Sequence, residues 1–437
     1  MAFVPIYILI LGFTIVIDYF AGIYIENSEG RRRKMYLIFS LFANIGVLAV
    51  FKYYNFINEN FSILLKGLLL NNSLPYLNIL LPIGLSFHTF QAMSYTIEVY
   101  RGNQKAERHF GIYSLYVMFY PQLVAGPIER PQNLLHQFRE KYDFDYDRVI
   151  EGLKLMLWGL FKKIVIADRL ANYVNIIYNN PEQHNGMTFI LATIFFAFQI
   201  YCDFSGYSDI AIGAAKVMGF KLMTNFNRPY FARNISDFWK RWHISLSSWF
   251  KDYLYISLGG NRVSVPRWYL NLFLVFLISG LWHGANWTYI IWGAINGFYL
   301  VFAIITQRYR SKINKLSGIE KLPVLNHLFQ VLVTFMLACF AWIFFRANNV
   351  SDAISIINKI FTFSGRIFIG DSQKLFYCIA GIIFLIIIEI RREFFGHSIL
   401  PFKTDNWFKE QIAYATLVVL ILLFGVFDGG QFIYFQF

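Results

Sequence analysis

Four short segments place ionisable or amide side chains where the surrounding sequence is too apolar to leave them to water. An ionisable group inside a spanning segment is expensive, and it persists where it is paired or used. The sharpest case is Ser279-Gly-Leu-Trp-His-Gly-Ala-Asn-Trp287, followed by Trp292-Gly-Ala-Ile-Asn-Gly297. His283 stands between the apolar runs 269–281 and 289–295, closely bracketed by Gly280 and Gly284. An imidazole there can take or give a proton near neutral pH. With Asn286, Trp282 and Trp287 beside it, the segment reads as a lined pocket. A core histidine that bonds a carbonyl and locks two helices fits the same residues equally well.

The second segment is Asn234-Ile-Ser-Asp-Phe-Trp-Lys-Arg-Trp-His-Ile-Ser-Leu-Ser-Ser-Trp-Phe250. Asn234 suits an N-cap and Asp237 the positive end of a helix. Ile235, Phe238, Trp242, Leu246 and Trp249 recur at helical spacing, so 234–250 reads as an amphipathic helix lying at the membrane surface. A plain surface anchor explains most of it; His243, next to the apolar stripe, is the residue that could point inward. In 199–209, Asp203 and Asp209 sit at the end of an apolar run, free to orient a histidine, pair with Arg241 or cap a helix. In 124–130, Gly126-Pro127 breaks a helix and Arg130 follows at once. A broken helix can present backbone donors and a guanidinium to an anion or carbonyl oxygen, and a plain turn carrying a basic residue is the alternative.

Absent motifs narrow the chemistry. The chain has no Gly-x-Ser-x-Gly elbow, no Walker-type phosphate loop and no dinucleotide glycine fingerprint. Its cysteines, Cys202, Cys339 and Cys378, match no zinc spacing, and their odd number argues against a complete disulfide framework. No metal is expected. What remains available is direct transfer, a histidine removing the proton of an incoming hydroxyl while a donor stabilises the oxyanion.

Such groups need helices to hold them. Of the 437 residues 57% are hydrophobic and only 15% charged, with mean hydropathy +0.46. A soluble domain carries roughly a quarter charged residues, so lipid is the solvent that suits this composition. Apolar runs of bilayer length cover 4–25, 35–57, 74–100, 149–166, 187–202, 268–282, 287–305, 327–345, 375–390 and 412–427. A shorter run, 113–123, precedes the Gly-Pro break and reads as re-entrant. The expectation is an all-α polytopic membrane protein with about 11 membrane-embedded helices, counting broken ones. No linker, low-complexity stretch or repeat divides it, so 1–437 reads as a single integral-membrane domain.

The net charge of +13 is read mainly as topology. Basic residues at 31–34, 101–108, 216–241 and 308–321 place those segments in the cytoplasm, while 172–186, without Lys or Arg, belongs outside. Both termini then lie outside. A second reading of the charge is attraction for a phosphate-bearing or acidic carrier protein; no nucleic-acid partner is expected.

Phe238-Trp-Lys-Arg-Trp-His-Ile-Ser-Leu-Ser-Ser-Trp249, Asp252-Tyr-Leu-Tyr-Ile-Ser-Leu-Gly-Gly-Asn-Arg262 and Gly280-Leu-Trp-His-Gly-Ala-Asn-Trp287 together resemble the membrane-bound O-acyltransferase family. The segments 86–101, 124–130, 201–209 and Trp342-Ile-Phe-Phe-Arg-Ala347 follow in the same order. The resemblance is narrower still to its bacterial alginate and peptidoglycan O-acetyltransferase branch. Relatives carry further N-terminal hydrophobic sequence that this chain is expected to lack. The resemblance implies a ring of helices around a central tunnel or funnel. It makes His283 the principal catalytic histidine and His243 the second, toward the cytoplasmic side. Arg130 is implied in activity, with Asp203, Arg241, Trp242, Trp282 and Asn286 in support.

It further implies acetyl transfer from a cytoplasmic thioester to an extracytoplasmic polysaccharide. The donor would be acetyl-CoA or an acyl-carrier thioester, with no bound cofactor, and the partner a periplasmic or surface SGNH-type transferase. The setting would be a bacterial inner membrane, with membrane lipid around the chain. D-alanyl transfer to teichoic acid is the nearest alternative. A polysaccharide transporter or scaffold would tolerate loss of His283 without losing ester formation.

Overall fold

The computed structural model describes residues 7–78, 84–123, 126–396 and 400–427, and among these every regular element is helical. Backbone packing groups them into two compact units.

The first unit holds the described residues up to Phe144 together with Gly219–Met223. It contains α1 (Tyr7–Glu26), α2 (Gly30–Leu48), α3 (Tyr54–Gly67), α4 (Leu85–Arg101), α5 (Phe110–Met118) and the short α6 (Pro131–Leu134). A π-helical segment, Ala49–Tyr53, joins α2 to α3 without a break. Asp18 is buried between α1 and α2, where it accepts from Ser40 Oγ at 2.6 Å and from Asn44 Nδ2 at 2.8 Å. A hydrogen-bonded carboxylate of this kind can tie helices together in lipid, which itself offers no polar partner. The expected span 74–100 is only partly helical. Residues 70–78 are irregular, 79–83 lie outside the described residues, and the helix starts at Leu85 behind Gly84 at φ +78. Pro75 and Pro82 each lack a helical donor, which accounts for the late start. The run 113–123 likewise ends its helix at Met118.

The second unit holds Asp145–Met218 and the described residues from Thr224 on. Its helices are α7 (Tyr146–Leu160), α8 (Asp168–Tyr178), α9 (Gly186–Val217), α10 (Ile235–Arg241), α11 (Ile244–Trp249), α12 (Val265–His283), α13 (Trp287–Ile305), α14 (Gln307–Leu316), α15 (Pro323–Arg346), α16 (Val350–Thr362), α17 (Ser372–Phe394) and α18 (Trp407–Phe424). Helix α9, of 32 residues, is the most deeply buried span. It lies against α7 through facing glycines: a Cβ on Gly152 would meet the Gly213 carbonyl at 2.7 Å, and one on Gly159 the Gly206 carbonyl at 2.5 Å. Small residues at seven-residue spacing on both helices therefore set the approach.

Among the described residues eight helices are long and apolar enough to cross a membrane: α1, the continuous α2–α3 stretch, α9, α12, α13, α15, α17 and α18. Together with the membership reported below, this makes the chain an all-α polytopic membrane protein. The run 149–166 is helical but continues through a π-helical turn, Phe161–Ala167, into α8, with Lys162 and Lys163 buried in that turn.

Candidate active site

His283 is the last residue of α12, and the peptide leaves the helix at Gly284 in an extended conformation. Helix α13 returns at once from Trp287 and packs against α12 at close range. A Cβ on Gly280 would meet the Tyr289 carbonyl at 2.3 Å, and one on Gly293 the Phe276 carbonyl at 2.4 Å. Only glycine permits this contact, which fixes the end of α12 and hence the imidazole. His283 is buried, with ring centres 4.9 Å from Trp282, 5.0 Å from Trp292 and 5.3 Å from Phe345.

His243 sits at a break. Helix α10 stops at Arg241, His243 takes φ +43 and ψ +56, and α11 begins at Ile244. The expected amphipathic helix over 234–250 is thus two short helices, continued by a π-helical turn at Phe250–Tyr255. A left-handed histidine costs roughly 1–3 kcal/mol and persists only where the surroundings over-determine it. Here the segment 225–227 does so. Asn227 N–H donates to the Arg241 carbonyl and Ile244 N–H to the Asn225 carbonyl, each at 2.9 Å, one on either side of the histidine. The fully buried Asn225 side chain accepts from Ser245 Oγ at 2.9 Å and donates to Ser208 Oγ on α9 at 3.0 Å. The His243 ring is buried 4.5 Å from Phe204, stacks on Phe226 at 6.3 Å and lies 6.4 Å from Trp282. Trp282 therefore touches both imidazoles.

An aromatic wall completes the surroundings. Trp292 stacks on Trp342 at 5.9 Å, Trp342 lies 5.0 Å from Trp242, and Trp242 is 5.1 Å from Phe226. Two imidazoles held in an aromatic, largely water-free environment can exchange a proton with a bound hydroxyl or thiol.

Other sequence candidates fall elsewhere. Asp203 forms an ion pair with Lys163 Nζ at 2.9 Å, and Lys163 also holds Asp168 at 2.6 Å. Asp209 pairs with Lys162 at 2.8 Å. Two consecutive lysines inside an apolar run carried the signal for this network, and the sequence reading passed over them. Arg241 turns to Asp237 at 3.1 Å and Glu393 at 2.9 Å, while Arg228 binds Glu393 as well. Asn286 caps α13, accepting from Thr288 N–H at 3.0 Å and donating to the Asn348 carbonyl at 3.2 Å. Its amide is engaged in holding a helix end. Arg130, half-buried, precedes Pro131 at the start of α6 in the first unit; Val124 and Ala125 of the Gly-Pro segment lie outside the described residues.

Residues 108–346, more than half of the chain, match the membrane-bound O-acyltransferase family. The chain belongs to that family. It is 40% identical to a probable alginate O-acetylase of Pseudomonas aeruginosa over 362 residues, covering 82% of this chain and 66% of the relative. It is 36% identical to a peptidoglycan O-acetyltransferase of Helicobacter pylori, covering 82% of this chain and 71% of that protein. A teichoic acid D-alanyltransferase of Bacillus subtilis is 27% identical over 287 residues. The chain spans about two thirds of the length of these relatives. Both histidines and the whole α7–α15 framework fall inside the matched region of this O-acyltransferase chain.

Proposed function

We propose that the protein is an O-acetyltransferase of a bacterial inner membrane. It takes an acetyl group from a cytoplasmic thioester and passes it to a hydroxyl outside, for O-acetylation of an extracytoplasmic polysaccharide. The observation that carries this reading is the pair of buried imidazoles on either side of Trp282, one ending a spanning helix and one on a strained junction. The names of relatives at 36–40% identity, against 27% for the D-alanyltransferase, support acetyl over D-alanyl.

In this mechanism the unprotonated nitrogen of His283 accepts the proton of the incoming hydroxyl. The hydroxyl oxygen then bonds to the thioester carbonyl carbon and the C–S bond breaks. The departing thiolate takes the proton from the imidazolium, leaving an ester and a free thiol. His243 lines the path of the donor, and the aromatic wall keeps water from competing for the acetyl group. The resemblance gives Arg130 a part in activity, and a guanidinium suits an anion or an oxyanion. Asp203 and Arg241 serve through their ion pairs, Trp242 and Asn286 through packing and capping. The hydroxyl belongs to the glycan or to an SGNH-type partner that carries the group onward. No metal or bound cofactor enters the scheme.

The test compares ester-linked acetate and D-alanine on surface glycans of cells carrying native protein, a deletion, or His283→Ala at matched membrane levels. Acetate should vanish in the deletion and fall by about 10²–10⁴-fold in His283→Ala, the usual worth of a general base. Loss of D-alanine instead would move the protein to teichoic acid modification. Full acetylation by His283→Ala would hand the role to a transporter or scaffold.

A further inference from the structure

A second feature of the same unit is untouched by this scheme. Helices α10 and α11, with the turn that follows them, floor a cavity of about 780 Å³ whose walls are α12, α13 and the start of α14. Its size lies in the upper range of small-molecule sites. Leu272, Val275 and Phe276 of α12 and Leu300 and Ile304 of α13 make one side apolar. Lys240, Lys251 and Arg310 stand around it as well.

Lys240, Lys251 and Arg310 are exposed, and three cations gathered around one apolar cavity attract an anion. Lys240 and Lys251 have no carboxylate partner among the described residues; Asp237, the nearby acid on α10, is taken by Arg241. The Arg310 guanidinium donates to the Ala303 carbonyl at the end of α13 and has no carboxylate partner among the described residues. Trp239 and Trp268 also line the cavity and add aromatic surface to it.

The walls say which kind of anion. Leu300 and Ile304 face the cavity while Phe302 and Ile305, on the same helix, are 52% exposed. Leu272 likewise lines the cavity two residues from the exposed Leu270. The apolar wall therefore runs on into the lipid-facing surface of α12 and α13. A phosphate head with a hydrocarbon tail satisfies both demands at once. The phosphate meets the cations, and the chain follows the helices into the bilayer. We propose that this cavity binds an anionic phospholipid of the cytoplasmic leaflet. The lipid braces α10 and α11, the two helices whose junction carries His243. Its binding does not depend on the acyl-transfer reading, although any effect on turnover does.

The protein in nanodiscs of phosphatidylcholine with one tenth phosphatidylglycerol of identical chains, released and weighed by native mass spectrometry, tests this directly. Wild type should retain phosphatidylglycerol in preference to phosphatidylcholine. The Lys240→Gln/Lys251→Gln/Arg310→Gln variant should lose that preference by about 100-fold, as the attraction of three cations to an anionic lipid implies. Ala303→Phe, which fills the wall and keeps every charge, should lose it too. Equal retention of the two lipids by wild type, or an unchanged preference in both variants, overturns the proposal. So does displacement of the lipid by coenzyme A, which would make the cavity a donor site. A well-folded variant is confirmed in each case by its thermal transition.

Discussion

Lys163 holds two carboxylates, Asp203 at 2.9 Å and Asp168 at 2.6 Å, with 7% of its own side chain exposed. Removing one member of a buried ion pair strands the other, and the cost falls on whichever charge is left without compensation. The two halves of this network are therefore unequal. Lys163→Met leaves two buried carboxylates and should cost about 3–5 kcal/mol. Asp203→Asn leaves Lys163 paired to Asp168 and should cost about 1–3 kcal/mol. Thermal unfolding in detergent reads the order. The same measurement decides the part of Asp203, for which the sequence suggested a supporting place in catalysis. If its loss lowers acetyl transfer only as far as it lowers the folded fraction, Asp203 is structural. An inactive Asp203→Asn with an unchanged transition would return it to the chemistry. The sequence exposed Asp203 because a carboxylate in an apolar run is conspicuous. Its partner was equally visible at 162–163, but the two lie 40 residues apart, and the packing of the π-helical turn after α7 against α9 joins them.

At the scale of elements, the informative difference is the break at His243. The apolar positions from Ile235 to Trp249 keep helical spacing throughout, and neither glycine nor proline interrupts them. A continuous helix was the natural reading. What ends it comes from elsewhere in the chain: Asn225 and Asn227 pair with the backbone on both sides of the histidine and draw it into the left-handed region. Tertiary hydrogen bonds here override local periodicity. The consequence is a positioning role for Asn225, whose side chain spans Ser208 of α9 and Ser245 of α11. Asn225→Ala should reduce acetyl transfer by 10–100-fold, with at most about 1–3 kcal/mol lost in stability. A structural defect alone would add to any other mutation. A positioning role predicts otherwise: in a His243→Ala background, Asn225→Ala should have little further effect on turnover. Additive losses in the double variant would sink the idea. The α12–α13 hairpin was more legible, because Gly280, Gly284 and Gly293 announce close approach in the sequence itself and the structure places Tyr289 and Phe276 against them.

The whole molecule was legible where composition alone decides. Runs such as 187–202, 287–305 and 375–390 recur as α9, α13 and α17, because a bilayer imposes both length and apolarity on a spanning helix. Legibility failed at 74–100, where irregular backbone delays the helix to Leu85, and at 149–166, where the run passes into a π-helical turn that carries buried lysines. Sidedness follows from a different physical rule, the bias of Lys and Arg toward the cytoplasm, and it governs the direction of the proposed transfer. Three exposed positions test it: Arg32 in the first turn of α2, Gln183 between α8 and α9, and Lys312 on α14. Native Cys202 and Cys378 are buried and Cys339 is only partly accessible, so single introduced cysteines should stand out against the background. In intact spheroplasts an impermeant maleimide should label Gln183→Cys, and label Arg32→Cys and Lys312→Cys only once the membrane is opened. That pattern puts α14, and with it the cationic end of the cavity beside α10, on the side where thioesters are made. The reverse pattern would place them outside, remove the cytoplasmic leaflet from the lipid proposal, and require the acetyl donor to be exported before it reached His243.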